Sequence, residues 1–174
     1  MIDEWSRNGI YLILLQSILI YKAFKGSEME QEKYLIGQEL IVIFERVLKI
    51  EKVVIERETE CVLSMAEIHT VAAIGKDTML RMGEIADALH ITLGTLTVMI
   101  NNLVKKGFVD RYKSEEDRRV VKIGLTKKGR RIYDAHASFH ENLVNALVKG
   151  ADPEQQKTIR MALNNLWDFI QQQE

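Results

Sequence analysis

Two histidines of this chain are spaced so that they can act together. His136 and His140 lie four residues apart, and on a helix that spacing places both side chains on one face. Imidazole is a common zinc ligand, and two imidazoles at this separation can chelate one ion. Histidine pairs on helices also occur as ordinary polar packing, so the spacing alone leaves both interpretations open.

A basic stretch of the chain points to a different chemistry, contact with a polyanion. Residues 105–131 contain eleven Lys and Arg but only four Asp and Glu, a net charge of +7. The whole chain carries −1, so the other residues sum to −8. Such a concentrated basic block is expected where a protein binds nucleic acid. A solvated surface hairpin is the alternative that charge alone leaves open.

The residues just before this block have side chains suited to reading base edges. A helix fits the major groove of DNA, where each base pair shows a distinct pattern of donors and acceptors. Short polar or methyl-bearing side chains recur on one predicted helix face, for which a plain solvated face is the alternative. The residues assigned to DNA contact on this helix and at its start are Thr92, Gly94, Thr95, Thr97, Val98, Asn101 and Asn102.

Apolar periodicity predicts the two helices that position these side chains. A short helix is expected over 82–89, and a second over 93–106 after an N-cap at Thr92. The buried stripe of the second helix is predicted to be Leu96, Ile100 and Leu103.

The period then changes from 3.6 to 2, which predicts a two-stranded β-hairpin over 109–125. Helix, turn, helix and hairpin together form the arrangement of a winged helix-turn-helix. A basic hairpin beside a recognition helix can reach phosphates or the adjacent minor groove. The cations assigned to these contacts are Lys105, Lys113, Arg118 and Arg119.

Longer helices are predicted on both sides of this motif. One covers about 30–57, and a shorter one follows a capping box at Ser64 and Glu67. Two more are expected, one over 127–149 after an N-cap at Thr126, and one over 153–172 with Asp152 as N-cap and proline at its first position. Its apolar stripe consists of Ile159, Leu163, Leu166 and Ile170.

Composition agrees with a mainly helical chain in a reducing compartment. There is one proline and one cysteine, Cys61, in 174 residues, which excludes an internal disulfide framework and favours the cytoplasm. Cys61 is expected to be a passive small hydrophobe, with a redox switch as the alternative.

Residues 1–28 differ from the rest of the chain. The apolar run 10–21 is shorter than the ~20 residues that span a bilayer, and no cleavage site of small residues follows it. An extra packing helix, an interfacial anchor and an extension outside the working protein remain open. The last is favoured, because Met29 opens a polar start to an amphipathic helix.

The hairpin and the residues after it resemble the MarR family of bacterial repressors. Residues 117–129 read DRRVVKIGLTKKG, an acidic residue and two arginines followed by a strand, Leu-Thr and Gly. The order of elements from about 30 to 172 also matches that family. The resemblance implies a mainly α fold with a small β-hairpin, in which residues 29–174 form a winged helix-turn-helix domain with helical dimerisation arms.

The resemblance also implies a homodimer joined by its first and last helices. One recognition helix with a wing buries too little surface for a tight operator complex, whereas a two-fold dimer reads half-sites about one helical turn apart. The alternative is that these helices pack onto their own domain.

Within the family, the segments TLGTLT at 92–97 and NNLVKKG at 101–107 resemble the FabT-type repressor of fatty-acid synthesis. This implies a corepressor consisting of a long acyl chain on acyl carrier protein. Many relatives carry Arg where Val98 stands and charged residues where Asn101 and Asn102 stand. These departures favour adenine, through the asparagines, and the thymine methyl group, through Val98, hence an AT-rich palindromic operator. Candidate acyl-chain residues, each equally a candidate for plain core, are Val71, Ile74, Ile132 and Phe139.

A zinc-responsive repressor is the alternative within the same family. The two histidines above, with Glu51 and His69, fall on the ligand positions of its zinc-sensing branch, which implies a closed set of three imidazoles and one carboxylate. That branch's second ligand set is lacking, because Arg57 and Ile68 occupy two of its places. No obligatory cofactor is expected.

Two other classes of protein compete with a regulator. An enzyme is not expected, because the sequence has no Gly-rich phosphate loop, nucleophile elbow or HExxH motif, and a closed four-ligand zinc site leaves no position for substrate water. A protein-interaction module without DNA remains as a rival, but it would not require the basic block.

Overall fold

The computed structural model describes residues 27–113 and 120–173. The chain divides into two units, residues 1–50 and 51–174. Residues 1–26 of the N-terminal extension lie outside the described ranges, as do the hairpin residues Arg118 and Arg119. Within the described ranges, no helix combines the length and apolar character that a membrane span requires.

Helix α1 (Glu28–Thr59) is the predicted long helix and extends to 32 residues. Glu30 caps its start by accepting the Ser27 backbone N–H at 3.2 Å. In the first unit its large apolar side chains are mostly exposed, among them Ile36, Ile41 and Phe44.

Helices α2 (Met65–Ile74), α3 (Met82–Ala88) and α4 (Leu93–Lys105) follow in the second unit. The predicted capping box at α2 is confirmed: the Ser64 N–H donates to Glu67 Oε2 at 2.9 Å, and the Glu67 N–H donates to Ser64 Oγ at 3.2 Å. The predicted Thr92 cap is confirmed too, since the Thr95 N–H donates to its Oγ1 at 3.2 Å.

The sheet has three antiparallel strands in the order β1 (Met79–Arg81), β3 (Val121–Leu125) and β2 (Val109–Lys113). The predicted two-stranded hairpin corresponds to β2 and β3, but the prediction missed β1. Leu80 of β1 pairs with Ile123 across the ladder. With three residues directly before a helix, β1 is too short for alternation to distinguish it from a loop.

The core lies between α2–α4, the sheet and the start of the next helix. The predicted stripe of α4 is confirmed, since Leu96, Ile100 and Leu103 are fully buried. Side chains of Ile68, Ile85, Ile123 and Ile132 complete this cluster.

Helix α5 (Lys127–Leu147) begins at its predicted cap Thr126, which accepts the Gly129 N–H at 3.1 Å. Gly129 is required here, because a Cβ at this position would collide with the backbone carbonyl oxygen of Phe108. The same carbonyl accepts the Thr126 N–H at 3.1 Å. The first turn of α5 is thus packed directly on the backbone between α4 and β2.

Helix α6 (Pro153–Gln171) starts as predicted, with Asp152 accepting the Gln155 N–H at 2.9 Å. None of its residues is buried. The predicted stripe residues Leu163 and Ile170 are 49% and 45% exposed, so residues 27–113 and 120–173 leave an apolar face of this helix uncovered.

Candidate nucleic-acid interface

The outer face of α4 carries the side chains assigned to base edges. Thr95, Thr97, Asn101 and Asn102 are all exposed, and Val98 is 60% exposed. They are exposed because the opposite face of the helix is fixed in the core by its buried stripe. The structure therefore presents one continuous row of short polar and methyl-bearing side chains.

Three threonines at the start of α4 are held in place by local hydrogen bonds. The Oγ1 atoms of Thr92 and Thr95 lie 3.0 Å apart, and the Thr97 hydroxyl donates to the Leu93 carbonyl oxygen at 2.7 Å. Gly94 is exposed between them. The hydroxyl groups of these threonines are thus engaged within α4 and its N-cap, at the N-terminal end of the exposed face.

The cations around α4 divide into an outward set and an inward set. Lys105 and Lys113 are exposed, as their assignment to phosphates requires. Lys106, at the C-terminal cap of α4, instead donates to Glu67 Oε1 and Oε2 at 2.7 and 2.8 Å. Lys128 lies over the Phe108 ring, 4.2 Å from its centroid.

Part of the basic block therefore holds the fold together, which the charge count alone did not reveal. The Arg130 Nε–H donates to the Lys76 carbonyl oxygen at 3.2 Å, and its Nη2 lies 3.6 Å from Asp77 Oδ1. These contacts join α5 to the turn before β1. Lys106 and Arg130 are engaged in contacts within this unit, so the positive charge available to a polyanion is smaller than the count from the sequence.

Glu67 is the acidic partner inside this region. Burial raises the pKa of its carboxyl, but the hydrogen bonds from Lys106 and Ser64 and the charge of Lys106 outweigh that effect. The net pKa of Glu67 lies below its ordinary value. The carboxylate therefore stays ionised and keeps α2 attached to the end of α4.

Arg111 is a residue of this surface that the sequence analysis did not single out. Its Nη2 donates to Asn101 Oδ1 at 2.5 Å, and both side chains are exposed. The available signal was alternation: Arg111 lies two residues from Lys113 on β2, so the two cations share a face of the strand. The distance to α4 could not be read from spacing.

A separate cluster forms around a buried carboxylate of the second unit. Glu51 is fully buried, and its Oε1 lies 3.1 Å from His136 Nε2 and 3.2 Å from His140 Nε2. The predicted shared face is confirmed by ring centroids 4.5 Å apart. His69 Nε2 is more distant, 3.7 Å from the same oxygen.

This cluster has the donor set and the electrostatics of a metal site. Each of Glu51, His136 and His140 contributes one ligand atom, and these three atoms lie within 4.8 Å of one another. The buried Glu51 Oε2 has no hydrogen-bond partner among the described residues. Burial lowers the pKa of His136, the neighbouring His140 lowers it further, and the attraction of Glu51 opposes them less. Neutral imidazole, the form that binds metal, is thereby favoured.

The remaining predicted residues lie in ordinary surroundings. Val71, Ile74 and Ile132 belong to the buried core, and Phe139 is half-buried with its ring edge-to-face against His140 at 5.6 Å. The Cys61 thiol is half-buried and donates to the Thr59 carbonyl oxygen at 3.2 Å. A role for the first four in binding an acyl chain stays a prediction.

Comparison with known proteins gives this geometry a family. The MarR family model matches residues 63–121, which include α2–α4, β1 and β2. The crystal structure of Streptococcus pneumoniae FabT in complex with DNA is 37% identical with a TM-score of 0.70, over 80% of this chain and 97% of that one. The chain belongs to the MarR family. It is a DNA-binding transcriptional regulator of the winged helix-turn-helix type.

Other MarR-type relatives agree with this assignment. The HTH-type transcriptional regulator PchR of Bacillus subtilis is 27% identical over 62% of this chain and 66% of PchR. BilQ of Clostridium symbiosum, also an HTH-type transcriptional regulator, is 31% identical over 45% of this chain and 56% of BilQ. The chain thus matches less than two thirds of either relative. The Staphylococcus aureus MepR–DNA complex shares the fold, with a TM-score of 0.59. Its identity to this chain is 20%, over 77% of this chain and 95% of that one.

Proposed function

We propose that this MarR-type regulator is a repressor that inserts α4 into the major groove of an AT-rich palindromic operator. The observation that carries the proposal is the exposed row on α4 beside the cationic strand β2, in a chain 37% identical to the DNA-complexed FabT. Asn101 and Asn102 suit adenine, and Val98 suits the thymine methyl group. An operator acts where the chromosome is, so the proposed site of action is the cytoplasm.

Selection from random DNA tests the operator. The purified chain is expected to recover palindromes with AT-rich half-sites about one helical turn apart. Recovery of GC-rich half-sites would show that the base assignments on α4 are wrong.

Two variants separate base contacts from phosphate contacts on the selected duplex. Asn101→Ala is expected to relax preference at one base pair, at about 1–3 kcal/mol of discrimination. Lys113→Ala is expected to weaken binding to all sequences alike and to reduce the salt slope by about 1. Affinities measured at several salt concentrations distinguish these outcomes, and the opposite pattern would mean that the two roles are exchanged.

The working unit is proposed to be a homodimer in which α6 packs against a second copy. Its support is the apolar face of α6, where Leu163, Trp167 and Ile170 are 49%, 60% and 45% exposed. Beside this face, an open groove of about 440 Å³ between α5 and α6 is lined by Val144, Leu147 and Ile159 among others. Two copies would cover these surfaces and supply the second recognition helix.

Fatty-acid biosynthesis genes are the proposed targets, with an acyl chain on acyl carrier protein as corepressor. The similarity to FabT supports this proposal. Footprinting upstream of such genes tests it: long-chain acyl-acyl carrier protein is expected to lower the chain concentration needed for protection. Equal protection with and without the acylated carrier would exclude the corepressor.

A zinc-responsive repressor is the second candidate, favoured by the buried Glu51 oxygen that lacks a partner beside two histidines. Glu51, His136 and His140 fit zinc, and His69 is the adjacent residue that would complete a set of four. When bound, zinc would supply the positive charge that neutralises this carboxylate. The chain's own contribution is to hold the two imidazoles of His136 and His140 on one face of α5.

A competition titration against a chromophoric zinc chelator tests this site. The wild type is expected to bind at least tenfold more tightly than His136→Ala or His140→Ala. His90→Asn is the matched control, because His90 is exposed and away from the cluster, and its positive φ of 52° is tolerated by asparagine. Equal weak binding by wild type and both histidine variants would end the hypothesis.

A further inference from the structure

One side chain of the wing is hydrogen-bonded to a proposed base-reading side chain. Arg111 of β2 donates from Nη2 to Oδ1 of Asn101 on α4, at 2.5 Å. The two residues are ten positions apart, and neither contact partner is buried. The contact joins the two elements that are offered to DNA.

Buried neighbours fix the backbone on the β2 side of this contact. Phe108 and Val109, between α4 and β2, are 2% and 0% exposed. Val109 shares its strand face with Arg111. Since Val109 is buried in the core that also holds α4, this face of β2 is turned towards the helix.

The chemistry of the contact selects one orientation of the Asn101 amide. A guanidinium carries donors and no acceptor, so it attracts the amide oxygen and repels the amide nitrogen. The oxygen keeps a second lone pair, and the nitrogen at the other end of the amide can donate. Asn101 held in this way can donate to adenine N7 and accept from adenine N6, the bidentate pattern of asparagine with adenine.

Guanine is the base that this orientation excludes. In the major groove it shows two acceptors, N7 and O6, so that O6 requires a donor where adenine N6 requires an acceptor. An asparagine free to flip can turn its amide nitrogen towards O6. An asparagine anchored through its oxygen keeps that oxygen at this position, where two acceptors would face each other.

We infer that Arg111 is a positioning residue that makes α4 discriminate adenine from guanine at the base read by Asn101. The inference rests on the proposed function of Asn101 as a base contact. It assigns to Arg111 a role in specificity, whereas its position on a basic strand would by itself indicate a phosphate contact like that of Lys113.

The experiment compares two duplexes by fluorescence anisotropy at constant salt. The first is the duplex selected by the wild type; in the second, the adenine at which Asn101→Ala loses its preference is replaced by guanine and its partner by cytosine. For Arg111→Gln, which carries both a donor and an acceptor, the adenine-to-guanine preference is expected to fall about tenfold. Arg111→Lys, which like arginine carries only donors, is expected to retain most of it.

Lys113→Gln is the matched control, because it removes one cation from the same face of the same strand. It is expected to weaken binding to both duplexes equally and to leave their ratio unchanged. An equal loss on both duplexes for Arg111→Gln would overturn the inference and show a backbone contact. A loss of preference in Arg111→Lys as large as in Arg111→Gln would also overturn it.

A double variant shows whether Arg111 acts through Asn101. In an Asn101→Ala background, Arg111→Gln is expected to leave the base preference unchanged; a further loss would mean that Arg111 contacts the base itself. If Asn101→Ala changes no base preference at all, the proposed function of Asn101 fails along with the inference. If Asn101→Ala changes the base preference and Arg111→Gln does not, only the inference about Arg111 fails. Thermal unfolding confirms that each variant is folded.

Discussion

Helices α4 and α6 each carry an apolar stripe, but the two stripes have opposite surroundings. In α4 the apolar stripe is covered by the same chain, with Leu96, Ile100 and Leu103 fully buried. In α6 no residue is buried, and its large apolar side chains are roughly half exposed, Met161 at 59% and Trp167 at 60%.

The contrast shows that the two regions are stabilised in different ways. The lobe around α4 has its own core, so its stability is a property of one chain. The exposed face of α6 has the composition of an interface that needs a partner. Substitutions in α4 and α6 are therefore expected to affect different measurements.

The largest effect is expected from a cavity in the lobe. Leu103→Ala removes a fully buried side chain and should reduce the free energy of unfolding by about 3 kcal/mol. Urea unfolding at one fixed protein concentration measures this. Val98→Ala, on the exposed face of the same helix, should change stability by less than about 0.5 kcal/mol. Equal losses would mean that α4 is not anchored through its stripe.

A smaller effect of another kind is expected from the exposed face of α6. Trp167→Ala should raise the dissociation constant of the proposed dimer about 30-fold, since buried interface tryptophans commonly contribute about 2 kcal/mol. Sedimentation equilibrium over a dilution series measures it, with Asn165→Ala as the polar control on the same helix. A drop in stability that does not depend on protein concentration would place Trp167 in a monomer core and remove the contrast.

The smallest effect is expected from the ionic contact inside the lobe. Because the pKa of Glu67 is lowered in the folded chain, its contribution is present above the ordinary glutamate pKa and is lost as the pH falls through the folded value. Between about pH 6 and about pH 3, Glu67→Gln should therefore lose about 1 kcal/mol less stability than the wild type.

Urea unfolding across that pH range measures the difference. Glu84→Gln is the control, because Glu84 also accepts a backbone N–H at a helix start, from Arg81 at 2.6 Å, but is exposed. If the Glu67 and Glu84 variants respond alike to pH, the contact with Lys106 adds nothing to helix capping.

Periodic and local features of this fold could be predicted from the sequence. The stripe of α4 follows from helical spacing, and the caps at Ser64, Thr92, Thr126 and Asp152 follow from residues three positions apart. The resemblance in the wing then identified the family. In each case the signal lies within a few neighbouring residues.

Features that depend on tertiary distances could not be predicted in the same way. Strand β1 has three residues, so its pairing with β3 leaves no period to detect. Lys106, a cation of the basic block, contacts Glu67, which lies 39 positions away in the sequence. Sequence spacing gave no sign of this contact. The hydrogen bond between Arg111 and Asn101 depends on how β2 lies beside α4, and the interior location of Glu51 depends on α5.

The absent side chain at Gly129 has a mechanical consequence for the proposed dimer. It lets α5, 21 residues and about 32 Å long, be fixed at its base to the connection between the reading helix and the wing. When that lobe tilts, α5 tilts with it, and a few degrees at one end become several ångström at the other. In the proposed dimer, the distance between the two α4 helices then depends on an angle far from DNA, so that a change in this angle alone would alter their fit to two half-sites.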